Sequence, residues 1–329
     1  EQGLDLKVIS GDHPATVAAV ARRAGIPGAD DGVDARTLPD DPDELAEALT
    51  GELAGRSVFG RVTPHQKRAM VRALQARGRT VAMTGDGVND VLALKDADMG
   101  IAMGSGSSAS RAVAQLVLLD DRFSTLPRVV AEGRRVINNI ERVANLFLTK
   151  ATYAVLLTAL VGLFGVPFPF LPKQLTLIGT VSIGLPGFFL ALAPDDSLVR
   201  PGFLPRVLRW SLPAGLAASA ATFICYEVVR RSDASLAEAR TAATLTLLGV
   251  GLAILVGISR PLRPWKLALA AAMGGLYALT MAWPFARDYF ELVVPPDSAW
   301  LTAAICTAAG GLLVAAVPRI TALLQRGSS

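Results

Sequence analysis

At 329 residues, 52% of them hydrophobic, and with a formal net charge of +4, the chain is long enough for about two domains and too apolar to be soluble throughout. Residues 1–145 carry 18 Lys+Arg against 20 Asp+Glu, net −2, and the remainder carries 14 against 8, net +6. The basic excess therefore belongs to the hydrophobic half, which excludes a nucleic-acid-binding soluble face and fits the Lys/Arg bias of loops beside membrane spans.

The first 125 residues alternate short β-rich runs with helical patterns. "LDLKVIS" leads into "HPATVAAVARRAG", where Pro14 suits a first helical turn and Gly25 a stop. The acidic "GADDGVDARTLPDDPDELAEAL" reads as a surface loop and short helix without chemistry. "RSVFGRV" leads into "TPHQKRAMVRALQARG", with Thr63, Pro64 and Gly78 as the corresponding signals. "RTVAMT" precedes "VNDVLALKDA", "MGIAM" precedes "SSASRAVAQ", and "LVLLD" precedes a helix starting near Ser124. This alternation predicts βαβ units and one parallel sheet. Ligands of such sheets bind beyond the carboxyl ends of the strands. "SGD" and "TGDGVND" both fall at that edge, so the sheet is expected to bring them together.

Asp86 ends a strand and Asp90 lies four residues on, so both can reach one oxygen-loving cation. Mg²⁺ takes one or two carboxylates plus water and phosphate oxygens. Gly85 and Gly87 allow a tight turn, while Asn89 suits either a helix cap or a phosphate oxygen. Helix capping alone is the competing reading of this block. Lys67, near a helix start, suits a transferring phosphoryl group or plain solvated surface. Ser10, Gly11 and Asp12 repeat the strand–turn–helix arrangement, with backbone N–H groups open to an anion. The loop Gly104–Ser110 lacks the Lys and the spacing of a Walker A motif and reads as a flexible turn and helix cap.

A helix from Ser124 is expected to run through a stalk, residues 126–145, into the first of six membrane spans. The spans lie near 146–166, 174–193, 208–229, 241–259, 265–285 and 298–317. With the soluble half cytoplasmic, the inward loops hold eight Lys/Arg against five outside, and Trp210, Trp265, Trp283 and Trp300 sit near span ends. Lys150 lies inside the first span, where an ammonium is costly and usually functional. "SIGLPG", Ser182 to Gly187, is expected to unwind and expose carbonyls to an ion, a packing kink being the alternative. Cys225 and Cys306 read as small buried residues. With no initiator Met or signal peptide, the chain is expected to be cut from something longer.

"SGDHPATVAAVARRAGI", "VTPHQKRAMV", "TGDGVNDVLALKDADMGIAMGSGS" and "EGRRVINNIERV" resemble, in that order, the second half of P-type cation-transporting ATPases. Within them the chain looks most like the actinobacterial CtpE-type group, whose mycobacterial member transports calcium. The resemblance implies a haloacid-dehalogenase-like, partial phosphorylation domain over 1–125 and a six-helix membrane domain over 146–329. It implies Mg²⁺ on Asp86, supported by Asp90, a phosphoryl group held by Lys67 and Asn89, and Ser10–Asp12 in place of a Thr-Gly-Asp motif. ATP would be the phosphoryl donor and a cell-membrane bilayer the setting. The sequence contains no Asp-Lys-Thr-Gly-Thr block. The nucleophile, the actuator and nucleotide domains and four further helices would then lie in a missing N-terminal part, and this chain alone would be inactive. Where calcium pumps carry ion ligands, alignment places Ala151, Ala154, Gly179, Ser182 and Ile183, and only Ser182 keeps a side-chain oxygen. Ser182, Lys150, Gly184 and Pro186 are the expected transport residues, with H⁺, K⁺, Mg²⁺ and Mn²⁺ as alternatives to Ca²⁺. A tethered phosphatase of the same fold and a non-catalytic partner subunit are the competing functions.

Overall fold

The computed structural model describes residues 3–51 and 53–326, with side chains described to residue 319; residues 327–329 of the expected membrane domain lie outside it. Two units meet in sequence after Val130. In the first, each short apolar run ends in a turn that caps a helix. Strand β1 (Val8–Ile9) leads to α1 (Pro14–Arg23), whose first turn is capped by the His13 side chain. Gly25 at φ +72° ends α1, in the left-handed region that favours glycine. Next come β2 (Val33–Asp34), α2 (Pro42–Thr50), β3 (Val58–Gly60) and α3 (Pro64–Ala76). Thr63 and Gln66 close a reciprocal capping box on α3. The unit continues through β4 (Ala82–Gly85), α4 (Val91–Asp96), β5 (Met99–Met103), α5 (Ser108–Val113) and β6 (Leu116–Leu118).

Among the described residues all strand pairs are parallel, but they form two three-stranded sheets, β1-β3-β2 and β4-β5-β6, and not the single sheet expected. β1 is only two residues long and spends its pairing on β3, while β4 pairs with β5. Ile9 nevertheless packs against the core of Val71, Met83, Ala93 and Leu94. The acidic segment expected as a surface loop and short helix does carry the helix, α2, but the loop reading is corrected. The segment also supplies the edge strand β2, and Ala35, Leu38, Leu45 and Leu49 from it are buried around Phe59 and Met70. Its apolar positions are isolated among acids, so no period shows in the sequence.

The second unit begins within α6 (Leu126–Phe164), one unbroken helix. After it come α7 (Pro172–Gly179), a π turn at Thr180–Gly184, and α8 (Leu185–Ala191). The expected unwinding at 182–187 does not occur. Pro186 carries no N–H for the helical ladder, and the helix absorbs this by widening into a single π turn, a common device at functional sites. Then follow α9 (Phe203–Arg230), α10 (Leu236–Ile258), α11 (Pro264–Ala282), the short α12 (Pro284–Tyr289) and α13 (Asp297–Arg326). Among the described residues six helical segments are long and apolar enough to cross a membrane, as the sequence predicts, with α7, the π turn and α8 counting as one. α9 and α10 are mostly buried, whereas α6, α11 and α13 turn most of their surface outward.

The "RRVINNIERV" part of α6 holds the irregular segment after α8. Asn139 Nδ2 donates to the carbonyls of Ala191 (2.9 Å) and Ala193 (2.8 Å), and Asn138 Nδ2 donates to Ser197 O at 2.9 Å. Arg142 forms an ion pair with Asp195. These donors satisfy carbonyls that the end of α8 leaves without helical partners. Farther along, α6 crosses α9 at Gly215, where a Cβ would lie 2.5 Å from Thr152 Cβ and 3.1 Å from Thr149 O. Close crossings at small residues are how membrane helices gain packing energy. Gly215→Val should therefore lower the melting temperature of the detergent-purified protein, overpacking costing about 1–3 kcal/mol. Gly275→Val, where a Cβ meets nothing within 4 Å, serves as the control. Equal melting temperatures for the two variants would show that the crossing is not tight.

Candidate phosphoryl and cation sites

The turn after β4 separates two aspartates that look alike in sequence. Asp90 is 7% exposed. Its Oδ1 accepts from Lys67 Nζ at 2.7 Å, and its Oδ2 accepts from Gly87 N at 3.3 Å. Both side chains of the ion pair are nearly buried, at 12% and 10% exposure. Gly85 makes the approach possible, since a Cβ there would sit 2.5 Å from Asp90 Cβ. Asp86 is exposed, and its carboxylate makes no hydrogen bond or ion pair with any described residue. Its backbone is instead fixed: Asp86 O accepts from Ser107 N at 2.7 Å and from Ser110 Oγ at 3.0 Å. Ser110 is fully buried. The Gly104–Ser110 loop, expected as a flexible turn, is thus the clamp that sets the Asp86 backbone. Ser107 does cap α5, as the sequence suggests, but no signal in it identifies Asp86 as the loop's partner.

The bracing continues behind the turn. Arg68 and Arg72 of α3 each donate Nε to Asp96 Oδ2 at 2.6 Å, and Gln75 Nε2 donates to Asp96 O at 3.0 Å. The Arg68 hydrogen bond is the main reason the Asp96 carboxyl titrates below its ordinary range. Asn89 is exposed in the turn, and its side chain makes no hydrogen bond with a described residue. Neither Asn89 nor Asp90 provides a side-chain cap to α4, but Asp90 Oδ2 does cap the 3-10 turn Val88–Asp90 through Gly87 N, so capping accounts for part of this block.

Mg²⁺ fits the donors present. Asp86 offers an exposed, unpaired carboxylate at the carboxyl end of a parallel strand, and Mg²⁺ is content with one or two such groups plus water and phosphate oxygens. Both Asp90 oxygens are already engaged. Among the described residues, no three His, Cys, Asp or Glu side chains gather as an all-protein metal cage.

Ser10, Gly11 and Asp12 follow β1. Ser10 Oγ lies 3.3 Å from Asp12 Oδ2 and accepts from Asp12 N at 3.2 Å. Ser10 O accepts from Val62 N at 2.9 Å, directly before the cap of the helix that carries Lys67. Among the described residues, no hydrogen bond or ion pair joins Ser10–Asp12 to the Asp86–Asp90 turn.

In the membrane unit, Lys150 and Ser182 line a cavity of about 20 Å³ with Thr149, Tyr153, Ile183 and Gly251. That is room for about one water. Thr149, missed in the sequence, is 2% exposed, and its Oγ1 has no hydrogen-bond partner. Ser182 Oγ lies 2.9 Å from where a Gly251 Cβ would stand. Lys150 also borders an open groove of about 620 Å³ with Gly179, Thr180 and Gly184. Pro186 is buried in α8 and lines neither space.

The family profile of haloacid dehalogenase-like hydrolases matches residues 1–98. The calcium-transporting ATPase CtpE of Mycolicibacterium smegmatis is 50% identical over 305 residues, covering 88% of this chain and 38% of that protein. The protein of the same name from Mycobacterium bovis is 52% identical over the same shares. The probable cation-transporting ATPase exp7 of Streptococcus pneumoniae is 34% identical over 299 residues, again 88% and 38%. The chain thus spans 38% of the length of these relatives.

Two outcomes follow from the bracing. Lys67→Met leaves a buried carboxylate unpaired, which costs about 3–5 kcal/mol. The variant should be cut by thermolysin at urea concentrations that wild type resists, and Lys67→Met/Asp90→Leu should recover most of the loss. A double variant as labile as the single would deny the pair its role. The Asp96 carboxyl, titrating low when folded, contributes stability above the unfolded value of about 3.9, and loses it as pH falls through the lower folded value. Asp96→Asn should therefore flatten the acid limb of a pH–melting-temperature curve below about pH 4; an unchanged limb would remove Asp96 from the bracing.

Proposed function

We propose that this chain, a relative of the P-type cation-transporting ATPases, supplies the metal-binding, phosphoryl-stabilising part of the phosphorylation domain and six membrane helices of an ATP-driven cation pump, with Ca²⁺ as cargo. The observation that carries the reading is the division of labour between the two aspartates. Asp90 is bound into the protein by Lys67 and Gly87 N, while Asp86 stands exposed with its backbone clamped. In this reading Asp86 ligates Mg²⁺, and Asp90 orients the turn and the Lys67 ammonium. When bound, Mg²⁺ would neutralise charge on phosphate oxygens.

Lys67 has three donor hydrogens, one of them spent on Asp90. The others can meet equatorial phosphoryl oxygens, with Asn89 offering an amide N–H beside them. The backbone N–H of Gly11 would hold the same anion from the β1 side, the Asp12 N–H being taken up by Ser10 Oγ. Positioning and electrostatics of this kind do most of the work in phosphoryl transfer. An aspartate outside the sequence described here would be the nucleophile, because this chain has no Asp-Lys-Thr-Gly-Thr block. The relatives' greater length supports that division between segments.

For the cargo, the support is the printed function of the relatives together with the Lys150–Ser182 cavity beside the π turn. Thr149 joins Ser182 as a second side-chain oxygen there. Lys150 favours a second reading. Its Nζ stands on the Gly179 side, 3.5 Å from where a Gly179 Cβ would be, and a positive charge this near the cavity disfavours a divalent ion, which suits a pump whose cargo is monovalent or a proton.

In the full-length protein, Asp86→Ala should nearly abolish Mg²⁺-dependent labelling by radioactive ATP; normal labelling would sink the assignment. ATPase activity across Ca²⁺, Mn²⁺, Mg²⁺, K⁺ and pH decides the cargo. Stimulation by Ca²⁺ is expected, and its absence with K⁺ or proton dependence would replace Ca²⁺ by the second reading.

A further inference from the structure

The sequence holds two cysteines, Cys225 on α9 and Cys306 on α13. Neither belongs to the phosphoryl site or to the Lys150–Ser182 cavity. Both are buried, at 0% and 9% exposure, and both lie in one apolar core. They also meet, the two thiols being hydrogen-bonded to each other. Cys225 is further hydrogen-bonded to Thr246, whose own hydroxyl donates to Ala242 O at 2.9 Å. The backbone explains the meeting. α9 and α13 pack closely, and a Cβ on Gly310 would lie 2.9 Å from Ala221 Cβ. Two Cα–Cβ bonds of about 1.5 Å then put the Ala221 and Gly310 Cα atoms within about 6 Å. Cys225 lies one turn on from Ala221, and Cys306 one turn back from Gly310. The helices are thus antiparallel, and the cysteines face each other one turn from the tight crossing.

We propose that Cys225 and Cys306 form an oxidation site, a dithiol that an apolar hydroperoxide closes into a disulfide inside the membrane unit. A disulfide needs Cα atoms about 4.4–6.8 Å apart, and the glycine crossing holds the two backbones that close. Cys306, the slightly exposed member on a helix that turns most of its surface outward, meets the peroxide first. Its sulfur attacks the terminal peroxide oxygen, the O–O bond breaks, and the leaving alcohol takes the thiol hydrogen. Cys306 is then a sulfenic acid, which condenses with a neighbouring thiol. The Cys225 sulfur attacks the Cys306 sulfur, the S–S bond forms and the S–O bond breaks. Water carries off the hydroxyl and the Cys225 hydrogen, so two electrons have passed from sulfur to peroxide. A metal ion fits the pair less well. Among the described residues no third His, Cys, Asp or Glu joins them, and a charged complex is costly in hydrocarbon. The disulfide is uncharged and ties α9 to α13. The inference uses neither the cargo nor the phosphoryl assignment.

The test reconstitutes the full-length protein in phosphatidylethanolamine–phosphatidylglycerol vesicles and treats them with cumene hydroperoxide. The dose is raised until Met281, a partly exposed methionine of α11, is converted to its sulfoxide. The protein is then denatured in N-ethylmaleimide, digested and read by mass spectrometry. Both cysteines should lose their maleimide label together. Their peptides should appear joined, two hydrogens lighter than their sum, and dithiothreitol should separate them. In Cys225→Ala the second thiol is gone, and Cys306 should go on to sulfinic and sulfonic acid. Two cysteines that still take the label at that dose overturn the proposal. So does Cys306 oxidised while Cys225 stays labelled, or either cysteine joined to a third.

Discussion

The hydrogen-bonded ion pair between Lys67 and Asp90 is the constraint around which the soluble unit is arranged. It joins α3 to the turn after β4 at 2.7 Å with both side chains nearly buried. Such a pair is weak evidence of stability, because desolvation can offset its Coulombic gain. Its value lies in specificity. An ammonium taken out of water must have its carboxylate, and that carboxylate must have Gly85 beneath it and Gly87 N beside it. Asp86, in the same turn, is held differently. Its backbone is caught by Ser107 and Ser110, and its carboxylate is left to solvent. Two carboxylates four residues apart thereby acquire opposite characters, one structural and one available.

Much of this was legible in the sequence, and the parts that were not share a cause. Caps and stops act locally, so Pro14, Gly25, Thr63 and Gly78 located α1 and α3 closely. The six apolar segments were legible for the same reason, a span being a property of some twenty consecutive residues. Strand order is a pairing between distant segments, and two-residue strands such as β1 and β2 carry almost no pattern by which to choose partners. Hence one sheet was expected where there are two, and the acidic segment hid an edge strand. Ser110 and Thr149 were missed because their roles depend on burial. A serine at 0% exposure that donates to Asp86 O looks, in sequence, like any serine of a capping loop.

The π turn at Thr180–Gly184 shows how the membrane unit meets a different requirement. In a bilayer every backbone polar group must be satisfied within the protein. Breaking the helix at "SIGLPG" would have left several carbonyls in need of an ion or of water. The wider turn keeps the segment helical and still brings Ser182 to the cavity shared with Thr149 and Lys150. This narrows what that cavity can hold. Ca²⁺ takes 6–8 oxygen ligands, whereas Thr149, Tyr153 and Ser182 are the three oxygen-bearing side chains that line the cavity. A divalent cargo at this place therefore needs carboxylates or carbonyls from elsewhere. Lys150 borders both this cavity and the open groove along Gly179, Thr180 and Gly184, and its Nζ stands on the Gly179 side of the two.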